Sequence, residues 1–257
     1  MKVFRIKHNG SVFYATIEDN NFFKPLLSKD NEKSLLPATE CTILPVAVPS
    51  KIICAGLNYH EHARELGMEI PEDPMIFFKP PSAVIGNGDK IVIPAMSEQV
   101  DFEGELAIII GQTGKNILPE NVAKHIFGYT CANDVTARDL QKKDTIFARA
   151  KGFDTFAPIG PCIETGITDP NSLSLRTIVN GKVRQEGNTS DMIYNPVQLV
   201  SFISHIMTLT PGDVILTGTP PGIGTLSPED KVDVEIEGVG ILSNTVINHE
   251  PIRTPVQ

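Results

Sequence analysis

Short apolar runs follow one another along most of this chain, and few helical patterns separate them. The segments with the composition of strands are KIICAG, PMIFFKP, KIVIP, ELAIIIG, IFGYTCAND, FAPIGPCIE, LRTIVNGKVRQ, DVILTG and KVDVEIEGVGILS. A parallel α/β fold would need a regular alternation of strands and helices. Because that alternation is missing, the order predicts a β-dominated α+β architecture.

Two Asn-Gly pairs mark tight hairpins, since both residues tolerate the positive φ angles that such turns need. Asn9-Gly10 joins VFRIK to VFYATIE, and Asn180-Gly181 lies in the run LRTIVNGKVRQ. The first hairpin predicts a small β unit, and the prolines at 45 and 49 are typical of a linker. We therefore predict an N-terminal β unit with linker over residues 1–50 and a main domain over 51–257.

The helical predictions are fewer. Thr136 and Asn195 are residue types that begin helices, and Gly128 is a type that ends them. Lys151, in AKGFD, is expected just before a strand. The segments that favour helices are YHEHAREL, PENVAKHIF before Gly128, ARDLQKK after Thr136, and PVQLVSFISHIM after Asn195.

Composition and charge argue against several classes of partner. The net charge is −9 and the basic residues form no long cluster, which argues against a nucleic-acid backbone or an anionic membrane. The apolar runs are too short to span a bilayer, and the start MKVFRIKHNG lacks the apolar core of a signal peptide. The four cysteines are widely spaced without a C-x-x-C pair, as is typical of reduced thiols. These features predict a cytoplasmic protein.

The stretch VDFEGELAIIIG sets three carboxylates, Asp101, Glu103 and Glu105, directly before an apolar run. On a strand, alternate side chains share a face, so the acids would form one row spaced by roughly 7 Å. Like charges repel, and an unpaired buried carboxylate is costly. A solvent-exposed strand end would avoid the cost, but LAIIIG indicates a central strand and Gly104 leaves room on the opposite face.

A hard cation would relieve this repulsion, because Mg²⁺, Mn²⁺ and Ca²⁺ prefer carboxylate and water ligands. Two carboxylates rarely complete such a site. Asp134, at the end of the run IFGYTCAN, could supply a third ligand. An aspartate there is equally suited to cap the following helix.

The stretch GLNYHEHARELG holds His62 and Glu65 three residues apart. On a helix the two side chains share a face and can hydrogen-bond, which fixes the imidazole tautomer. A histidine held in this way can act as a base that activates water. An ordinary surface pair is the alternative, and the spacing does not decide between His62 and His60.

Two basic residues could complete such a site. Arg138 lies one helical turn past Asp134, and its forked donors could hold an acidic group of a substrate. Lys151 could stabilise a developing oxyanion as a point charge. Solvated surface positions are the alternative for both residues.

The run LTGTPPGIGTLSPED places Gly218, Gly222 and Gly224 in a loop after a strand. It lacks the Gly-Lys-Ser/Thr of a P-loop, and a β pattern follows it where a P-loop would have a helix. A nucleotide cradle is therefore weakly supported. The pattern favours a loop that brings backbone N–H groups and Thr219 near a carboxylate.

Together these motifs resemble the fumarylacetoacetate hydrolase family in order and spacing. The resemblance covers roughly residues 50–247. It implies a mixed β-roll catalytic domain, here assigned to 51–257, and a homodimer. The motifs that carry it are GLNYHEHARE, FFKP, VDFEGELAIIIG, GYTCANDVTARDLQ, ARAKGFDTFAPIGP, the NG of IVNGKVRQ, and LTGTPPGIG.

The resemblance also implies roles for individual residues. Glu103, Glu105 and Asp134 would hold a divalent metal, Mg²⁺ or else Mn²⁺ or Ca²⁺. His62 and Glu65 would form the water-activating dyad of the branch that cleaves acylpyruvates or decarboxylates oxaloacetate. The residues implied around the substrate are Lys79, Arg138, Gln141, Thr219 and Lys151, the last in a catalytic role.

The leading segment of about fifty residues is short for the N-terminal domain of fumarylacetoacetase itself, so the chain looks more like the short branch of the family. In that branch the 2-oxo acid end of the substrate chelates the metal, which stabilises an enolate. We expect C–C hydrolysis of a small 2-oxo acid of the acylpyruvate type. The alternatives are isomerisation or decarboxylation, as in homoprotocatechuate breakdown or oxaloacetate decarboxylases, and, from another class, a non-catalytic metal-stabilised binding protein.

Overall fold

The computed structural model describes residues 1–19, 21–26 and 35–249. The parts of the predicted 1–50 unit and 51–257 domain that fall on 20, 27–34 and 250–257 lie outside the described residues. The strands are β1 (Lys2–His8), β2 (Ser11–Glu18), β3 (Phe22–Pro25), β4 (Leu36–Pro37), β5 (Thr42–Ile43), β6 (Ile52–Gly56), β7 (Met75–Lys79), β8 (Val84–Ile85), β9 (Lys90–Ile93), β10 (Val100–Phe102), β11 (Gly104–Ile110), β12 (Ile126–Asn133), β13 (Thr136–Ala137), β14 (Ala157–Glu164), β15 (Ser174–Val179), β16 (Lys182–Asn188), β17 (Val214–Leu216), β18 (Gly224–Thr225), β19 (Lys231–Ile236) and β20 (Gly240–Asn248).

Helices are short and few in the described residues, so the β-dominated α+β prediction is confirmed. None of them is long and apolar enough to cross a membrane. The α-helices are α1 (His60–Leu66), α2 (Arg138–Lys143), α3 (Ala148–Lys151) and α4 (Pro196–Ile206). The 3-10 helices are Ala38–Glu40, Pro81–Ala83, Pro119–Lys124 and Thr189–Asp191.

The described strands form three sheets. The large sheet has twelve strands, with the order β4-β3-β2-β1-β14-β12-β11-β17-β6-β7 and with β5 beside β1 and β8 beside β14. A five-stranded sheet has the order β16-β15-β19-β20-β9, and a small sheet has the order β13-β10-β18. Because β1 pairs with β14, the N-terminal strands extend the large sheet.

The core lies where the five-stranded sheet packs on the large one. β15, β19 and β20 contact β11, β12 and β14 across this interface. Every residue of β11 is buried, which confirms the central strand expected from LAIIIG. The cysteines are all free, and three of them are buried, as expected for reduced thiols.

Both Asn-Gly hairpins are confirmed. Asn9 and Gly10 have φ angles of 47° and 80°, and Asn180 and Gly181 have φ angles of 51° and 75°. These turns set the register of β1 with β2 and of β15 with β16. The helix after Asn195 is also confirmed, and it begins with a complete capping box.

The expectation of a single strand carrying three acids is wrong, because the chain changes sheets at Glu103. β10, with Asp101, pairs with β13 and β18, whereas β11, with Glu105, pairs with β12 and β17. At the break, backbone N–H groups bond to side chains. Glu103 N donates to Asn133 Oδ1 at 2.9 Å. The three acids still converge, but from two sheets.

Three local predictions need correction. The predicted helix PENVAKHIF is a 3-10 helix that ends at Lys124, because Ile126 already pairs with Ile110 in the large sheet. Lys151 ends α3 and does not lead directly into a strand. Thr136 does not cap α2, since its hydroxyl is directed at Glu103 Oε1 and at the Asp134 carbonyl.

Candidate metal centre and active site

A cavity of about 280 Å³ opens beside the start of β11. It lies where α1, β7, α2, α3 and the loop after β17 meet. Glu65 and Lys79 are not among the residues that line it. The predicted site residues that line it are His62, Glu103, Glu105, Asp134, Arg138, Gln141, Lys151 and Thr219.

Three carboxylates meet at the floor of this cavity. Each of Glu103, Glu105 and Asp134 offers an oxygen, and these oxygens all lie within 4.8 Å of one another. The three side chains are buried. Asp134 N donates to the Glu103 carbonyl at 2.8 Å, which brings the residue after β12 against the sheet break. Clustered hard oxygen donors of this kind suit Mg²⁺, Mn²⁺ or Ca²⁺.

Buried cations neutralise two of the three acids. Lys151 Nζ lies 2.9 Å from Glu103 Oε2 and 2.7 Å from Asp134 Oδ2. Lys79 Nζ lies 2.5 Å from Asp134 Oδ1. Arg138 pairs with Glu103 through Nη2. Within the described residues, Glu105 forms no ion pair.

The pKa directions follow from this unequal pairing. Burial alone would raise the pKa of Glu103, but Lys151 and Arg138 lower it to about 2. Burial, together with the charges of Asp134 and Glu103, holds the pKa of Glu105 well above its usual range. Burial opposes the charge on Lys151, but Asp134 and Glu103 overcome that effect and raise its pKa. Glu105 is therefore the acid that still lacks a compensating positive charge.

Glu105 has one identified hydrogen bond. Gly218 N donates to its Oε2 at 2.6 Å. One amide donor does not balance a buried carboxylate beside two others. This imbalance is what a bound cation would correct, so the residues present fit a divalent metal.

His62 and Glu65 form the expected pair on α1. His62 Nδ1 lies 2.8 Å from Glu65 Oε2, and Gly222 N donates to Glu65 Oε1 at 3.1 Å. His62 is nearly buried and lines the cavity, whereas His60 is exposed. Because Glu65 engages Nδ1, the Nε2 atom of His62 is the ring nitrogen available for proton transfer.

The guanidinium of Arg138 already bonds to more protein side chains than the sequence suggests. Its Nε donates to Asp101 Oδ2 at 2.8 Å, and its Nη2 donates to Glu103. Its remaining Nη1 group contacts Gln141 Oε1, and both residues line the cavity. Any contact between Arg138 and a substrate would therefore be made from the side of the guanidinium that faces Gln141.

Lys79, unlike the other predicted substrate residues, does not line the cavity. Its ammonium group is fully buried and also donates to the Val135 carbonyl at 2.9 Å. Burial, and then the charge of Lys151, lower the pKa of Lys79 against the opposing effect of Asp134. The structure thus places Lys79 behind Asp134, whose carboxylate it holds, and does not bring it to the cavity wall.

Sequence reasoning missed the apolar wall of the cavity. The rings of Phe77 and Phe147 pack edge to face with centroids 5.5 Å apart, and Lys151 Nζ lies 5.0 Å from the Phe77 centroid. FFKP is one of the family motifs, but no site role was predicted for Phe77, and Phe147 in DTIFAR carried no signal beyond hydrophobicity. The other apolar residues with large side chains that line the cavity are Leu57, Leu66, Met68 and Met75.

The comparisons with known proteins agree with this architecture. The family profile described as fumarylacetoacetate (FAA) hydrolase C-terminal matches residues 51–247. A crystal structure of 5-carboxymethyl-2-hydroxymuconate delta-isomerase from Mycobacterium smegmatis is 42% identical, covers 97% of this chain and 100% of its own, and gives a TM-score of 0.89.

Two further relatives carry other activities. Mitochondrial oxaloacetate tautomerase FAHD2A of Bos taurus is 42% identical over 225 residues, which are 83% of this chain and 72% of that protein. Maleylpyruvate hydrolase from Sphingobium sp. SYK-6, solved with manganese(II) and pyruvate, is 27% identical with a TM-score of 0.81, covering 97% of this chain and 100% of that one.

The packed β-sheets around a carboxylate-lined cavity, and relatives named as isomerase, tautomerase and hydrolase, identify the chain as an enzyme. The chain belongs to the fumarylacetoacetate hydrolase family. The family resemblance and the fold that it implies are therefore confirmed.

Proposed function

We propose that this enzyme binds one divalent cation, Mg²⁺ or Mn²⁺, through Glu103, Glu105 and Asp134, and that it acts on a small 2-oxo acid. The observation that carries the proposal is Glu105, a buried carboxylate without an ion pair among the described residues, beside two other acids. The manganese(II) and pyruvate in the related maleylpyruvate hydrolase support it.

When bound, the cation would supply Lewis-acid polarisation of a chelating 2-oxo carboxylate. Lys151 keeps Glu103 ionised and donates to Asp134 Oδ2, and Lys79 holds the opposite oxygen of Asp134. Phe77 and Phe147 exclude water from one wall, which strengthens the electrostatic interactions at the centre.

The proposed reaction is hydrolysis of a C–C bond in an acylpyruvate-type substrate. His62 would take a proton at Nε2 from the water that attacks the distal carbonyl, while Glu65 orients the ring and stabilises the imidazolium. As the C–C bond breaks, its electron pair leaves with the pyruvate carbon, and the imidazolium would return the proton to that carbon. The 2.8 Å bond between these side chains, at the edge of the cavity, supports this role. A tautomerase or isomerase reaction on a 2-oxo or 2-hydroxydienoic diacid is the second candidate, favoured by the names of the two relatives that are 42% identical.

The experiment compares the parent with Glu105→Gln. Calorimetry with Mn²⁺ should give one site per chain in the parent and a much weaker site in the variant. Activity would be measured on an acylpyruvate and on oxaloacetate, with the metal varied. Equal Mn²⁺ affinity in the two proteins refutes the ligand assignment, whereas tautomerisation without hydrolysis selects the second candidate.

A further inference from the structure

Glu103 and Glu105, the two proposed metal ligands on either side of Gly104, lie where the chain passes from the small sheet to the large one. Here the Glu103 N–H group is bonded to the Asn133 side chain, and the Glu103 carbonyl accepts from Asp134 N. The backbone at the break therefore depends on groups distant in sequence. Such groups decide how accurately the ligands are placed.

Gly104 is held by two side chains. Its N–H group donates to Gln185 Oε1 at 2.9 Å, and its carbonyl accepts from Thr219 Oγ1 at 2.8 Å. Gln185 lies in β16 of the five-stranded sheet, and Thr219 lies in the loop after β17. The peptide groups on either side of Gly104 are thus clamped between a second sheet and a loop.

Gln185 uses its whole hydrogen-bonding capacity here. Its Oε1 also accepts from Thr177 Oγ1 at 2.7 Å, and its Nε2 donates to Thr219 Oγ1 and to the Pro220 carbonyl, both at 2.8 Å. An amide offers two donors and accommodates two acceptor contacts, so every position is filled. Only 1% of Gln185 is exposed, in a strand whose flanking residues, Arg184 and Glu186, are exposed.

The groups around Gly104 leave no space for a side chain at this position. A Cβ atom on Gly104 would lie 2.1 Å from Thr177 Oγ1 and 3.4 Å from Gln185 Oε1. The amide of Gln185 therefore lies directly behind the backbone that joins Glu103 to Glu105. The loop that it holds through Thr219 and Pro220 also contains Gly218, whose N–H group donates to Glu105.

We propose that Gln185 is a positioning residue of the metal centre. It fixes the backbone between two ligands and, through Thr219, the loop that bonds to one of them. Gln185 is not a catalytic residue, because it acts on the site only through its neighbours. The inference rests on the proposed function, since it presumes that Glu103 and Glu105 bind a cation.

The test uses the full chain and Mn²⁺ alone. Gln185→Met keeps the approximate volume and removes all four bonds. Loss of a group that orients metal ligands commonly lowers affinity about 10- to 100-fold, and we expect a decrease in that range by calorimetry. The electron paramagnetic resonance spectrum of bound Mn²⁺ should also broaden, because the ligands are less symmetrically held.

Asn244→Leu is the matched control. Asn244 is 3% exposed, lies in β20 of the same sheet and donates to the Gly86 and Asp89 carbonyls at 2.8 and 2.9 Å, but it does not line the cavity. This variant should lose stability and keep both the affinity and the spectrum of the parent. If Gln185→Met matches this control in Mn²⁺ affinity, the inference is overturned.

A second pair of variants decides the matter if Gln185→Met does not fold. Thr219→Ser keeps the hydroxyl that links Gln185 to Gly104, whereas Thr219→Val removes it at similar volume. Weaker Mn²⁺ binding in Thr219→Val than in Thr219→Ser supports the inference, and equal binding overturns it. Absence of Mn²⁺ binding in the parent would overturn the proposed metal site as well.

Discussion

Replacing Glu105 by glutamine should make the metal-free protein more stable at neutral pH, although it weakens metal binding. The oxygens of Glu103, Glu105 and Asp134 lie within 4.8 Å of one another. Two unit charges at that distance repel by about 3.5 kcal/mol at an effective dielectric constant of about 20. Burial is the largest cause of the raised pKa of Glu105, and this repulsion adds to it, even though Lys151 and Gly218 oppose the shift.

The sign of the pH dependence follows from this raised pKa. Above about pH 4.3, the ordinary pKa of Glu, the unfolded chain loses the proton that folded Glu105 retains. The folded state then binds more protons, so its stability falls as pH rises, at up to about 1.4 kcal/mol per pH unit, until the folded-state pKa is passed. Glutamine removes this contribution and leaves an oxygen to accept from Gly218.

The assay is urea unfolding with a chelator present, from mildly acidic to mildly alkaline pH. The free-energy advantage of Glu105→Gln over the parent should grow with pH. Glu69→Gln, at an exposed position, should follow the parent throughout. An advantage that stays constant across this pH range, or a variant less stable than the parent at neutral pH, refutes the reasoning. Adding Mn²⁺ should stabilise the parent and should have less effect on Glu105→Gln.

Three further predictions concern catalysis, ligand binding and acid stability. His62→Ala should lower kcat for acylpyruvate hydrolysis about 10²- to 10⁴-fold with Mn²⁺ affinity retained, and near-normal hydrolysis in both His62→Ala and Glu65→Gln would eliminate the dyad. Oxalate, which resembles the enolate of pyruvate, should inhibit competitively against a 2-oxo acid in steady-state kinetics, and a noncompetitive pattern would contradict that placement. Asp213→Asn should cost about 1–3 kcal/mol in urea unfolding at neutral pH, since buried Asp213 accepts from Lys51 and Ser50. Burial opposes these bonds, but they lower its pKa, so this difference should shrink as pH falls below about 4, the unfolded pKa, and a difference that persists in acid would count against the prediction.

Local patterns predicted much of the fold because the interactions that form those elements are themselves local. The Asn-Gly turns needed only their own backbone preferences, and β11 needed only its unbroken apolar run. The sheet break at Glu103 was beyond such reasoning, because Asn133 and Gln185 bond the backbone there from positions far along the chain. The short helix α3 was missed for a related reason, since four residues carry no helical period.

At the candidate site, too, local patterns predicted some contacts, and only the fold shows the others. The spacing of His62 and Glu65 predicted their hydrogen bond, but only the fold shows that His60 faces solvent. The residues alone left Asp134 open as a third ligand or a helix cap, because periodicity does not bring β11 and β12 together. The family resemblance settled the grouping of Glu103, Glu105 and Asp134. Gln185 gave no signal, since one polar residue in a largely exposed strand does not reveal that it is buried.

The charges around the cavity have a consequence for the order in which ligands assemble. Four carboxylates face three cationic groups, so the fully ionised cluster is negative by one charge, and a divalent ion makes it positive by one. Even with Glu105 protonated, the metal-free cluster offers an anion no net attraction. A 2-oxo acid should therefore bind more tightly once the cation is present, and by reciprocity it should raise the affinity of the site for that cation. The residues in this balance are Asp101, Glu103, Glu105 and Asp134 against Lys79, Arg138 and Lys151.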